Sequence, residues 1–331
     1  MAAPLVTGVV VANADRSPLP HAMVSLQPLR RETFTDDRGR FSFANVMPGT
    51  YRLRIMHIGF SPSEVSLKVF GDSDMTRVTV GLDAVAVQLA AVHVTIDGPC
   101  VAPGAPDPSK DPGLAAIIEQ IVMNAQQYRL LADSFPYSYR ERREDYSVRG
   151  DSVVEGRRID TLDLNSNDRR WKYRPGRVVT SSIFTRVHVM HLPTLADFAS
   201  SEFVGSHCFR YGGELGTPEG PVVKVMFRVA ARIRSADVNG TILLDAKSYQ
   251  IRRADLQLSQ IPFDLSKDFA AVEVSTTFGE IEPSVLVFSS VHGTSSLVPT
   301  PNRADYVETV EDQRLLDFAF IKADPRRGRN P

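Results

Sequence analysis

Four residues in the second half of the chain carry the ligands of a metal centre, His188, His191, His207 and Cys208, since imidazole and thiolate are what zinc prefers. Their spacing works against it. His188 and His191 lie in an extended-looking run that ends at Pro193, and on a strand residues three apart point to opposite faces. Cys208 would also be lost as a ligand if it bonded Cys100. A serine nucleophile needs a base within hydrogen-bond reach and a third group to orient that base. Ser206 and His207 are adjacent, which on a strand places them on opposite faces, and no Gly-x-Ser-x-Gly elbow occurs. Two facing carboxylates could hydrolyse a glycosidic bond, and Glu141, Glu144, Asp145, Glu280 and Glu282 supply candidates. The first three alternate with Arg140, Arg142, Arg143 and Arg149, the pattern of a solvated strand face laced with ion pairs. There is no glycine-rich phosphate loop and no dinucleotide fingerprint. No catalytic residue, metal ligand or cofactor is expected, and the sequence reads as that of a non-enzyme.

One stretch could make contacts instead. Arg169-Arg170-Trp171-Lys172-Tyr173-Arg174 interleaves basic and aromatic residues, a mixture that stacks on bases or sits at a lipid headgroup boundary. As a strand it would place Trp171 and Tyr173 on one face and Arg170, Lys172 and Arg174 on the other. An ordinary half-buried strand gives the same pattern, and these five residues are the expected contact surface. Formal net charge is −1, from 38 basic and 39 acidic residues, so no overall field attracts nucleic acid.

The elements that would position such groups are mostly strands. Within Thr33 to Phe60, Asp36-Asp37-Arg38-Gly39 is a turn with Asx side chains and a glycine free to take positive φ. Phe41, Phe43 and Val46 follow on one side of a strand, Pro48-Gly49 turns again, and Tyr51, Leu53 and Ile55 alternate with Arg52, Arg54 and Met56, which marks one buried face. Together with Gly8, Pro20, Ala22, Val24 and Leu26 upstream and Gly59-Phe60 downstream, this stretch resembles the carboxypeptidase regulatory-like family, a transthyretin-like β-sandwich. The resemblance covers roughly residues 5 to 96. It implies an accessory module, usually extracytoplasmic, with a docking or spacing role and no catalytic residues. Met1-Ala2-Ala3-Pro4 has neither a basic nor an apolar leader region. The expected location is therefore periplasmic or outer-envelope with the leader not present in this sequence, the cytoplasmic face of the membrane being the alternative. In such an architecture a bond between Cys100 and Cys208 is favoured over two free thiols.

Residues 1–97 are expected to form the sandwich domain, with seven or eight short strands over residues 5 to 96, the last of them Val92 to Ile96. The proline-crowded DGPCVAPGAPDPSKD, residues 98–111 with Asp97, reads as a linker. Asp111-Pro112 then opens a helix whose Leu114, Ile117, Ile118, Ile121, Val122, Ala125, Tyr128 and Leu131 recur at helical spacing. A second short helix is expected over Pro193 to Ser201. The rest of residues 112–322 has period two, as in Val222 to Val229, Ile251 to Leu258 and Val272 to Phe278, and Asp245-Ala246-Lys247-Ser248 turns one strand onto the next. A helix followed by long curved antiparallel strands resembles the half-barrel of lipoprotein carriers, and NGTILLDAKSYQIRRADL carries that resemblance. Residues 323–331 form a basic tail.

The fold class expected is mainly β: an N-terminal transthyretin- or Ig-like sandwich, then a curved antiparallel sheet with one packed helix. The function expected is a non-enzymatic scaffold, an accessory subunit whose protein partners belong to a membrane-bound complex. No apolar run reaches the ~20 residues of a spanning helix. The alternative is a carrier holding a lipid-like ligand on the concave face of the second sheet, with the Asp111 to Asp133 helix as its lid. A hydrolase with an unrecognised site is a weaker one.

Overall fold

The structure, a computed structural model, describes residues 5–70, 75–85, 98–134, 136–149, 152–166, 171–182, 187–282, 285–298 and 308–321. The expected strand at Val92 to Ile96, Arg169 and Arg170, and the basic tail lie outside these residues. The chain forms two compact units, one built on Met1–Ala86 and the other on Val87–Ile281 and Leu286–Ile321.

The first unit is a sandwich. Strands β1 (Leu5–Ala12), β4 (Arg40–Ala44) and β7 (Met75–Leu82) make a three-stranded sheet in the order β4-β1-β7, and β2 (Met23–Gln27), β3 (Arg31–Phe34), β5 (Gly49–Met56) and β6 (Ser63–Val69) a four-stranded one in the order β3-β2-β5-β6. Alternation decides which side chains are inside: Phe41 and Phe43 are buried while Arg40, Ser42 and Ala44 are exposed. Val6, Val10, Val24, Leu26, Leu53 and Ile55 complete a closed core. The turn at Asp36 forms as its residues require, with Asp36 Oδ1 accepting from Arg38 N and Arg40 N and Gly39 at φ +69°. Gly8 sits between β4 and β7, where a Cβ would come within 2.5 Å of the Phe41 ring and of the Val78 carbonyl. Any other residue would push the two strands apart.

The second unit opens with residues 98–111, read from the sequence as a linker but fastened to this unit. Ala231 N donates to the Cys100 carbonyl at 2.8 Å, Gly104 N to the His207 carbonyl at 2.9 Å, and Cys100 is disulfide-bonded to Cys208. Asp111 Oδ1 then caps α1 (Pro112–Ser134) by accepting from Leu114 N at 3.0 Å. The helix buries Leu114, Ile117, Ile118, Ile121 and Ala125, as its apolar spacing requires. It touches β12 and reaches the carbonyl of Ser248 through Asn124 Nδ2 at 3.0 Å.

The body of this unit is a nine-stranded antiparallel sheet, curved as a half-barrel, in the order β12-β13-β14-β15-β16-β17-β18-β8-β9. Its strands are β8 (Tyr137–Arg149), β9 (Ser152–Asn165), β12 (His207–Thr217), β13 (Gly220–Val229), β14 (Val238–Asp245), β15 (Ile251–Leu258), β16 (Phe269–Glu282), β17 (Val285–Leu297) and β18 (Glu308–Phe320). A separate two-stranded hairpin joins β10 (Val179–Ser182) to β11 (Val187–Met190). The β14–β15 turn closes on Asp245, whose Oδ1 accepts from Lys247 N, Ser248 N and the Ser248 hydroxyl.

The helix expected over Pro193 to Ser201 forms elsewhere. Asp197 accepts from Thr194 N and Oγ1 and from Tyr173 N, which holds residues 194–200 as turns. Helix α2 is the four residues Ser201–Val204, capped by the Ser200 side chain on Phe203 N.

Candidate functional site

Register brings together groups that are far apart in sequence. Gly293 on β17 pairs with Glu311 on β18, Glu311 with Asp145 on β8, and Asp145 with Arg158 on β9. Residues directly opposite each other in a sheet share a face, so these four form one row across four strands. The row continues onto β16, because a Cβ at Gly293 would meet Val274 Cγ2 at 3.7 Å. It therefore runs from apolar at Val274 to charged at Asp145 and Arg158.

Above this row lies a cavity of about 620 Å³. Val274, Val272 and Val291 line its apolar floor, and Met190 and Val189 of β11 roof it with Leu265 of the connection between β15 and β16. The polar end holds Arg143, Asp145, Arg158, Glu311 and Gln313. Among the described residues none of α1 lines the cavity. The helix is not its lid; the β10–β11 hairpin and the residues between Leu258 and Phe269 occupy that place, because α1 packs toward β12 and the β14–β15 turn.

The charges at the polar end are unevenly matched. Arg143 reaches Glu141 at 3.2 Å and Glu311 at 3.3 Å, and Gln313 also donates to Glu311. Arg158 pairs with Asp160 at 2.9 Å. Burial raises the pKa of the Asp145 carboxyl, and the charge of Glu311 pushes the same way against Arg143 and Arg158. The carboxylates that the sequence marked as a solvated ion-pair face thus divide: Glu141 is buried, Glu144 is held by Arg142 and Arg157, and Asp145 faces the cavity.

A second cluster is closed to solvent. Asp237 and His207 are both fully buried. Tyr173 Oη donates to Asp237 at 2.8 and 3.0 Å, and Gly176 N and Val238 N donate to the same carboxylate at 2.7 and 2.8 Å. The His207 ring stacks on Phe203 with centroids 4.1 Å apart, its nitrogens lie 2.8 Å from the Phe203 carbonyl and 3.0 Å from that of Val238, and its Nε2 is 3.9 Å from Asp237. Burial lowers the His207 pKa, opposed by those two carbonyls and by Asp237. Burial raises that of Tyr173, and the Asp237 charge adds to it. This network ties the loop before β10 to β12 and β14.

Other residues singled out in the sequence take separate places. Residues 171–174 are not a strand, because Asp197 and Asp237 take the Tyr173 N–H and hydroxyl and turn the chain at Gly176. Tyr173 is buried, Lys172 and Arg174 are exposed, and Trp171 stacks on His191 at 5.0 Å. His191 Nε2 lies 2.9 Å from Thr180 Oγ1, whereas His188 lines the cavity. Among the described residues no group of three or more His, Cys, Asp or Glu side chains is arranged to hold a metal. Sequence reasoning placed a ligand on the concave face of this sheet as its alternative but did not identify the residues that line the cavity. Its one legible trace was the period-two run of valines on β16 and β17.

The chain is thus a two-unit β protein with a sandwich at its N-terminus and a cavity-bearing curved sheet after it. Residues 6–83 match the family model of the carboxypeptidase regulatory-like domain. Comparison with curated proteins gives no match. Among solved structures the chain is similar to a DUF1329 family protein from Desulfovibrio piger, at 10% identity and a TM-score of 0.33 over 63% of this chain and 95% of that one. It is also similar to a putative outer membrane lipoprotein-sorting protein domain from Vibrio parahaemolyticus, at 8% identity and a TM-score of 0.33 over 62% and 94%. A third likeness is to a LolA superfamily protein from Nitrosomonas europaea, at 8% identity and a TM-score of 0.28 over 61% and 96%. Similarity at this level carries no argument about site or ligand, which rest on the geometry above.

Proposed function

We propose that the second unit binds a ligand with an apolar chain in the cavity between its curved sheet and the β10–β11 hairpin, and that the N-terminal sandwich docks the protein to its partners. The observation that carries this reading is the cavity: at about 620 Å³ it falls within the ~300–1,000 Å³ of small-molecule sites, and it has their makeup of apolar walls with a few polar groups at one end. The scaffold role inferred from the absence of catalytic motifs is kept for the sandwich. Of the contact surface read from the sequence, the half-buried Trp171 and the exposed Lys172 and Arg174 remain for such a role. The Cys100–Cys208 disulfide supports an oxidising compartment such as the envelope.

Gly293 provides the test. No atom lies closer than 3.7 Å to a Cβ placed there, so Gly293→Phe fills the cavity from its floor without a backbone clash. Binding of the fluorescent probe N-phenyl-1-naphthylamine is titrated for the wild type and the variant, with the melting temperature of each. The expected result is saturable binding by the wild type and at least about a tenfold loss in Gly293→Phe, equivalent to roughly 1.4 kcal/mol, with the fold intact. A wild type that binds no apolar probe, or a folded variant that binds it equally well, would overturn the proposal.

A further inference from the structure

The carboxylates at the polar end of the cavity are unequally paired. Asp145 and Glu311 are direct cross-strand partners, and like charges in that position repel. Glu311 is answered by Arg143 and Gln313, but Arg143 is shared with Glu141 and Arg158 is engaged by Asp160. Among the described residues no cation comes within ion-pairing distance of Asp145; Arg143 and Arg158 act on it only through space. The cavity's polar end is lined by two guanidinium groups and two carboxylates, and of these carboxylates Asp145 is the one without an ion pair among the described residues.

We infer that the ligand is a cationic amphiphile, with its apolar chain over Val274 and Val291 and a protonated amine at Asp145 beside Glu311. This inference rests on the cavity being a ligand site, and it adds the sign of the head group. An ammonium group would relieve the repulsion between the two carboxylates and supply the pairing that Asp145 lacks. A carboxylate or phosphate head would add a further negative charge to the same row, and the arginines that could receive it are already engaged. The perturbed Asp145 carboxyl is what an unpaired, partly desolvated acid beside a like charge should show.

Three probes of one chain length separate head from chain: dodecylamine, dodecanol and dodecanoate, each below its micellar concentration, titrated at pH 7 by displacement of N-phenyl-1-naphthylamine. The expected order is dodecylamine tightest, with about a tenfold advantage over dodecanol, and dodecanoate weakest. In Asp145→Asn the ratio of amine to alcohol affinity is expected to fall toward one. In Lys247→Ala, an exposed position in the β14–β15 turn outside the cavity, the ratio is expected to stay at its wild-type value. Dodecanol binding without preference for the amine overturns the inference and leaves the cavity reading intact, as does a preference that survives Asp145→Asn. Binding of none of the three overturns both.

Discussion

Replacing Cys100 and Cys208 together by alanine removes a cross-link spanning 108 residues and leaves no polar atom to bury. In the chain-entropy account the cost falls on the unfolded state, and a loop of that length corresponds to ~4.8 kcal/mol at 25 °C. The native state keeps its other ties at this point, since Ala231 N still donates to the residue 100 carbonyl and Gly104 N to that of His207. The variant is therefore expected to fold to the same structure and to lose about 4–5 kcal/mol in the second unit alone. Trp171, the single tryptophan, lies in that unit and reports its urea transition. At an m-value of about 2–3 kcal/mol/M the midpoint falls by about 2 M, and wild type unfolded in excess dithiothreitol should give the same midpoint. A thiol assay on the unfolded, unreduced wild type should find none free. A shift corresponding to less than about 1 kcal/mol, below the range usual for native disulfides, would show that the cross-link does not limit the unfolded chain and would refute the reasoning.

Three further substitutions test separate parts of the packing. Thr35 is fully buried, accepts from Ala22 N at 2.8 Å and donates to the Leu19 carbonyl at 2.6 Å; Thr35→Val leaves both backbone groups unpaired and should cost about 2 kcal/mol by thermal or urea unfolding of the sandwich. Tyr173→Phe removes the hydroxyl that donates to buried Asp237 and should destabilise the second unit by about 2 kcal/mol in the same urea assay. Burial opposes the charge on Asp245, but Ser248 N, Lys247 N and the Ser248 hydroxyl outweigh it and hold its pKa below the usual carboxylate value. A depressed folded pKa stabilises fully above the unfolded value and is lost as pH falls through the folded one. Asp245→Ala should therefore cost about 1 kcal/mol at pH 7, and the difference from wild type should shrink below about pH 4; a constant difference down to pH 2 would contradict this origin.

The strands of the sandwich were legible because their signals are local. Asx and glycine at the Asp36 turn, Pro48-Gly49, and the alternation of Leu53 and Ile55 with arginines act within a few residues of one another, and so do Asp245 and the Ser248 it captures. Helix α1 was legible for the same reason, through its cap at Asp111 and its apolar spacing. The helix expected over Pro193 to Ser201 was not, because Asp197 spends its carboxylate on Thr194 and on Tyr173 N, a partner 24 residues away. Burial of Tyr173 has a similar cause, its hydroxyl being claimed by Asp237 at a separation of 64 residues.

The sequence by itself determined the mainly β architecture, the turns and the buried face of strands such as β4 and β5, since a period of two and a turn residue exert their forces over neighbouring positions. The tertiary structure alone decided the candidate site. Whether Asp145 faces Glu311 depends on the register of β8 on β18, segments more than a hundred residues apart; whether Gly293 opens a floor beside Val274 depends on the register of β17 on β16, and the hairpin that roofs that floor comes from β10 and β11. A shift of one residue in any of those registers would turn the same side chains to the opposite face, and no local pattern carries that choice.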